Sequence, residues 1–191
     1  SIENEKSFQK DFWNEPIQGV YTCNRFLTEE GIRSIRTHLK AASKSGIPTR
    51  RPNGMNRYGL VLDEETQGGV SYSQLDDFRH WLVEEYVRPL GRMFFPEYIG
   101  SFEDDESSYA FTIHYENPGG SNDSNNTTAT TSTTTNTTTD IKLKEHSDAS
   151  VVTININLNL PEEAVYSGSQ LMFLDDASQE QHEVELQPGM A

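Results

Sequence analysis

Residues 151–160, VVTININLNL, alternate between apolar and polar side chains along almost their whole length. In an extended chain Val152, Ile154, Ile156, Leu158 and Leu160 fall on one face and Thr153, Asn155, Asn157 and Asn159 on the other. The pattern predicts a strand with one face against a core. Three asparagines oppose strand propensity, so the polar face points either to solvent or into a polar cavity.

Other segments follow the same two-residue period. Tyr109, Phe111, Ile113 and Tyr115 alternate with Ser108, Ala110, Thr112 and His114. Gly168–Leu174 and His182–Leu186 read as two further strands, the second closed by a Pro188-Gly189 turn. A turn-rich stretch from Arg51 runs into a short strand ending at Leu62.

The N-terminal half is helical instead. Thr28 is a good N-cap, Glu29 and Glu30 suit the positive end of a helix, and Ile32, Ile35 and Leu39 form one apolar stripe before Gly46 and Pro48 end it. A second helix starts near Ser73 with Leu75, Phe78, Leu82 and Tyr86 at helical spacing, and Pro89 is expected to kink or stop it. Helices first and short strands afterwards predict a single α+β domain whose β-half is a sandwich or jelly roll. Residues 1–107 form the helical support with its short strand, and residues 108–191 form the β-half. A loop over 119–140 interrupts that half. Its Ser/Thr/Asn/Asp tract has no large apolar group to offset ordering entropy, so disorder is expected. The sequons at Asn122, Asn125, Asn126 and Asn136 are what such a composition generates by chance.

A balance of 15 Lys plus Arg against 30 Asp plus Glu, a formal charge of -15, argues against a nucleic-acid partner, which would need clustered basic side chains. No apolar run long enough to span a bilayer occurs. The single cysteine, Cys23, allows no internal disulfide and reads as a small buried hydrophobe; it favours a reducing compartment such as the cytoplasm without excluding the endoplasmic reticulum.

His146-Ser147-Asp148 stands at the head of the alternating segment. In an extended chain residues i and i+2 point to the same side, so an imidazole and a carboxylate can converge on one ion. That donor pair suits a borderline first-row metal, and a second histidine would complete the facial triad of non-haem Fe(II) oxygenases.

The run from Glu145 to Asn159, EHSDASVVTININLN, resembles the iron-binding strand of the prolyl 4-hydroxylase and procollagen lysyl hydroxylase group of 2-oxoglutarate/Fe(II)-dependent dioxygenases. A second resemblance, to plant and algal members of that superfamily, rests on Pro52, Asn53, Met55, Asn56, Tyr58 and Gly59. Together they cover roughly residues 50–191. They imply a double-stranded β-helix, or jelly roll, supported by N-terminal helices, and a cofactor set of Fe(II), 2-oxoglutarate, O2 and L-ascorbate. His146 and Asp148 would bind iron. Tyr115 would reach the 2-oxoglutarate carboxylate, Thr153, Asn155 and Asn157 would line the cosubstrate pocket, and Leu171 would form its apolar wall. For Tyr115 and Leu171 ordinary core packing is the competing reading.

Members of this group carry the second iron histidine a few residues after a turn like Pro188-Gly189-Met190, with an arginine for the cosubstrate further on. His182 precedes that turn in a charged stretch and reads as a surface residue. The expectation is therefore a jelly roll incomplete at its C-terminal end, with the missing ligand beyond Ala191 and the chain inactive by itself. The resemblance favours a protein or peptide substrate hydroxylated at a prolyl or lysyl side chain. Alternatives are oxidation of a small molecule, a cupin-like site for another metal, and a noncatalytic jelly-roll module recruiting a basic partner through acidic runs such as Glu103-Asp104-Asp105-Glu106.

Overall fold

A computed structural model of the chain describes residues 12–56, 59–62, 72–98, 108–114, 145–163, 170–175 and 178–191. Tyr115, the 119–140 loop with its sequons, the acidic run at 103–106 and Tyr58 lie outside them. In chain order the elements are β1 (Asn14–Ile17), β2 (Val20–Thr22), α1 (Glu29–Lys44), β3 (Gly59–Val61), α2 (Ser73–Leu82), a π-helical segment (Val83–Val87), α3 (Arg88–Phe94), β4 (Phe111–Ile113), a 3-10 turn (Pro161–Glu163), β5 (Gln170–Leu174) and β6 (Gln181–Glu185). The described strands pair antiparallel as β1–β2, β3–β4 and β5–β6. Among the described residues no helix is long and apolar enough to cross a membrane. The chain divides into two compact units, one of Ser1–His38, Trp81–Glu106 and Asp148–Ala191, the other of Leu39–His80 and Ser107–Ser147.

The start of α1 follows its sequence signals. Thr28 Oγ1 accepts the Gly31 N–H at 3.1 Å, which satisfies one donor that a helix N-terminus leaves open, and Thr28 O accepts the Ile32 N–H at 2.9 Å as the first intrahelical bond. Ile32 and Ile35 are buried, Leu39 is half-buried, and past Lys44 the chain turns through Gly46 at φ +96°. Leu39 belongs to the unit whose core is Ala42, Ile47, Leu60, Leu62 and Leu75, with Tyr72 and Ala110 packed on it.

In that unit residues 52–56 form a side-chain-braced turn. Asn53 Oδ1 accepts the N–H groups of Met55 and Asn56 at 2.9 and 2.7 Å, and Asn53 Nδ2 donates to Asn56 Oδ1 at 3.0 Å. This is a side-chain-built turn that frees the backbone from helix or ladder pairing. Asn56 is 1% exposed, so its amide is committed to the interior. Tyr109 clamps the turn from β4's approach by donating its hydroxyl to Pro52 O at 2.8 Å. Gly59 follows, where any Cβ would sit 2.7 Å from both Pro52 Cγ and Thr112 O. β3 then runs fully buried against β4 in the register Gly59–Ile113, Leu60–Thr112, Val61–Phe111.

Two expectations need correction. The helical path does not stop at Pro89. It leaves α register at Leu82, passes through the π segment with Arg88 N–H donating to Val83 O, and resumes as α3 with Pro89 in its first turn. Pro89 has no N–H to donate, and the change of register places it in the first turn of α3 rather than in the interior of α2.

Residues 151–160 keep the burial alternation over their first half, with Val152, Ile154 and Ile156 half-buried and Val151, Thr153 and Asn155 exposed, but they form no ladder strand. Within it, Asn157 Oδ1 takes the Asn159 N–H at 2.8 Å and Asn157 Nδ2 donates to Leu186 O at 2.6 Å. The side chain thus occupies backbone groups that a ladder would pair.

The other unit has two apolar centres among its described residues. Val184, Leu186 and Met190 are buried with Leu171 and Phe173 packed on them, as the β5–β6 register Leu171–Val184 requires. The second centre is aromatic. Trp13 meets Phe26 and Phe94 edge-on at 6.1 and 5.6 Å, Phe26 meets Tyr86 at 5.3 Å, and Tyr21 stacks on Phe94 at 3.9 Å. Cys23 is buried, in keeping with the reading of it as a small hydrophobe.

Candidate functional site

His146 and Asp148 are each exposed, in a stretch without helix or strand. An imidazole nitrogen and a carboxylate oxygen are donor types that borderline first-row metals accept. Among the described residues no three His, Cys, Asp or Glu side chains are grouped so as to hold a metal ion.

Of the residues expected around the cosubstrate, Thr153 and Asn155 are exposed, and the Thr153 hydroxyl lies 2.6 Å from that of Ser150. Asn157 is half-buried with both side-chain polar atoms bonded within the protein. Leu171 packs on the Val184, Leu186 and Met190 cluster. Tyr115 lies outside the described residues. His182 pairs in register with Phe173, and its Nε2 lies 3.9 Å from Glu180.

What positions the 151–160 segment is a backbone clamp that the sequence did not announce. Asn157 N–H donates to Met190 O at 3.0 Å and Gly189 N–H to Asn157 O at 2.9 Å. On the other side Leu27 N–H donates to Gly189 O at 2.9 Å, while Cys23 and Ala191 exchange both backbone bonds at 2.8 and 3.1 Å. Residues 189–191 thus run between 23–27 and Asn157. Gly189 makes the approach possible: its φ is +76°, and a Cβ there would sit 2.5 Å from Leu27 O.

The exit of the segment is fixed by charge. Arg36 and Arg33, one helical turn apart on α1, reach Glu163 and Glu162 on the 3-10 turn, and Arg33 also pairs with Glu29 at 2.7 Å. The Glu162 carboxyl is held below its ordinary value by a backbone hydrogen bond and then by Arg33, and that of Glu163 by Arg36 and then by the Leu160 N–H. The Arg33 guanidinium is pushed up by its bonds to Glu29 and Glu162. Basic residues three apart on a helix facing a Pro-Glu-Glu turn were the available sequence signal.

A family model described as OGFOD2-like domain matches residues 2–100, just over half of the chain. The chain belongs to the OGFOD2-like domain family. The OGFOD2-like match ends before His146 and Asp148. Longer similarities exist to curated proteins. The chain is 25% identical over 159 residues to "2-oxoglutarate and iron-dependent oxygenase domain-containing protein CP2" of Arabidopsis thaliana, covering 82% of this chain and 33% of that protein. It is 28% identical over 139 residues to "2-oxoglutarate and iron-dependent oxygenase domain-containing protein 2" of Xenopus tropicalis, covering 73% and 31%. The corresponding protein ICU11 of Arabidopsis thaliana is 24% identical over 176 residues, covering 91% and 36%. A match over 91% of the chain runs across the His146–Asp148 segment. The chain spans about a third of the length of these curated relatives. The resemblance to the 2-oxoglutarate/Fe(II)-dependent dioxygenase superfamily is thereby shown for this OGFOD2-like chain. No solved structure matches it.

Proposed function

We propose that this chain serves in an Fe(II)- and 2-oxoglutarate-dependent oxygenase with a jelly-roll β-half, which hydroxylates a prolyl or lysyl side chain of a protein. The observation that carries the reading is the similarity to proteins named as 2-oxoglutarate and iron-dependent oxygenase domain proteins, running across an exposed His146 and Asp148. The narrower substrate rests on the Glu145–Asn159 resemblance to the prolyl and lysyl hydroxylase group.

Iron with 2-oxoglutarate supplies the oxidising power to hydroxylate an unactivated C–H bond with O2, ascorbate keeping the metal reduced. The chain's own residues bind and orient. His146 contributes a neutral imidazole nitrogen and Asp148 a carboxylate oxygen, two residues apart in sequence. Thr153 and Asn155 offer an exposed hydroxyl and amide as hydrogen-bonding groups for the cosubstrate carboxylates. Tyr115 adds a phenol and Leu171 an apolar surface. Asn157 acts through the backbone, holding the segment against Gly189 and Met190. No side chain of this set needs to act as a general acid or base.

The test is oxygen-dependent succinate release by the full-length protein given Fe(II), 2-oxoglutarate and ascorbate, with separate pools of prolyl and lysyl peptides. The proposal expects one pool to raise succinate release and to yield peptide heavier by one oxygen atom. Stimulation by small molecules alone would overturn the peptide substrate. No succinate with any addition, and no absorption change on anaerobic addition of Fe(II) and 2-oxoglutarate, would overturn the oxygenase reading.

A further inference from the structure

The β1–β2 hairpin, the end of α3 and the end of β5 enclose an open cleft of about 500 Å³, all within one compact unit. Its wall is aromatic. Tyr21 stacks on Phe94 with centroids 3.9 Å apart and rings 15° from parallel, and Phe95 meets Tyr21 edge-on at 5.7 Å. Glu15 from β1, Glu97 after α3 and Asp175 after β5 bring three carboxylates to the same lining, and among the described residues no basic side chain lines it.

Two of these carboxylates are held by hydrogen bonds. Glu15 Oε1 accepts the Gly19 N–H at 3.0 Å across a turn that needs φ +79° at Gly19, and Asp175 accepts from the Ser178 hydroxyl at 2.9 Å. Their field reaches the aromatic wall: the Tyr21 phenol is pushed up by burial first, then by its hydrogen bond to Glu15 and by the charges of Glu15 and Glu97. Ring faces carry negative potential, as carboxylates do, so the wall and the charges favour the same class of ligand. An anion would be repelled by both. A neutral apolar group would use the rings but gain nothing from the acids.

We propose that this aromatic cleft binds an organic cation of the alkylammonium or guanidinium type, its apolar stem along the Tyr21–Phe94 stack and its charge toward Glu15 and Glu97. A lysyl or arginyl side chain fits both requirements, because such side chains lay their methylene stems on apolar surface while the head stays polar and hydrated. The acidic balance of the chain, 30 Asp plus Glu against 15 Lys plus Arg, draws such a ligand in at long range.

The experiment follows the aromatic side-chain NMR signals of Tyr21, Phe94 and Phe95 in the full chain. The additions are the capped tripeptides Ala-Lys-Ala and Ala-Arg-Ala, n-butylammonium, and the capped tripeptide with norleucine replacing lysine. The proposal expects saturable shifts with at least one cation, weaker in high salt, and no saturation with the norleucine peptide. Saturation by butylammonium alone assigns the cleft to free amines, and saturation by peptides alone assigns it to a basic segment; both support a cation site. Glu97→Gln should weaken binding about three- to tenfold with an unchanged unfolding midpoint, and Phe95→Leu should weaken it by a similar factor. Norleucine binding as tightly as lysine, no response to any cation, or an undiminished response in the folded Glu97→Gln variant would each overturn the proposal.

Discussion

Arg36 grips Glu163 with both arms of its guanidinium: Nη2 donates to Oε1 at 2.7 Å, Nη1 donates to Oε2, and Nη1 also donates to Leu158 O at 3.2 Å. One side chain of α1 thereby fixes both the 3-10 turn and the backbone of the alternating segment leading into it. A planar fork matches a carboxylate in two places at once, which an ammonium cannot do. Arg36→Ala is expected to lower unfolding free energy by about 1 kcal/mol, a value discounted because both partners are more than a third exposed. Arg36→Lys should recover less than half of it. Urea denaturation of the three proteins measures both values.

The same contact sets a pH dependence. The folded Glu163 carboxyl titrates below its ordinary value of 4.5, so the unfolded chain takes up its proton first as pH falls. The stabilisation is fully present above about 4.5 and disappears as pH drops through the folded value. Glu163→Gln should therefore be less stable than the parent at pH 7 and converge with it at low pH. Unfolding midpoints measured across that range check this; a constant difference at all pH values would contradict it.

Glycine tolerance should follow space and φ. Gly59→Ala forces a Cβ into Pro52 and the Thr112 carbonyl and should cost about 1–3 kcal/mol. Gly189→Ala combines a positive φ with the Leu27 carbonyl and should cost roughly 2–4 kcal/mol. Gly54, with nothing within 4 Å of a Cβ, should change stability by about 0.5 kcal/mol or less as Ala. Thermal or chemical denaturation of the three variants ranks them.

Asn157 distinguishes a structural role from a binding one. Asn157→Ala leaves the Asn159 N–H and the Leu186 carbonyl without their side-chain partner and should cost about 1–3 kcal/mol. Faster amide exchange at Asn159 should accompany the loss. A direct cosubstrate contact would instead leave stability intact and raise the 2-oxoglutarate requirement of the full-length protein.

The local elements were legible wherever one period ruled. Thr28, the two glutamates and the Ile32, Ile35 and Leu39 stripe marked α1, and the alternations around Phe111, Met172 and His182 marked β4, β5 and β6. The π segment was not legible, because Leu82 and Tyr86 keep helical spacing in either register. Nor did alternation distinguish a strand from residues 151–160, where the face pattern holds in part but Asn157 spends its amide on neighbouring backbone. The β1–β2 hairpin went unread, although Gln18-Gly19 between Ile17 and Val20 is a turn signal flanked by apolar residues. His146 and Asp148 stood out through donor type and spacing, whereas the clamp around Asn157, Gly189 and Ala191 is made of backbone bonds that residue identities do not encode.

Anaerobic Fe(II) titration of the full-length protein in the presence of 2-oxoglutarate, followed by visible absorption, puts the metal assignment to the most direct test. A saturable band is expected at one iron per chain, abolished in His146→Ala and in Asp148→Ala while the unfolding midpoint of each variant stays at that of the parent. Undiminished iron binding and an undiminished band in both folded variants would contradict it.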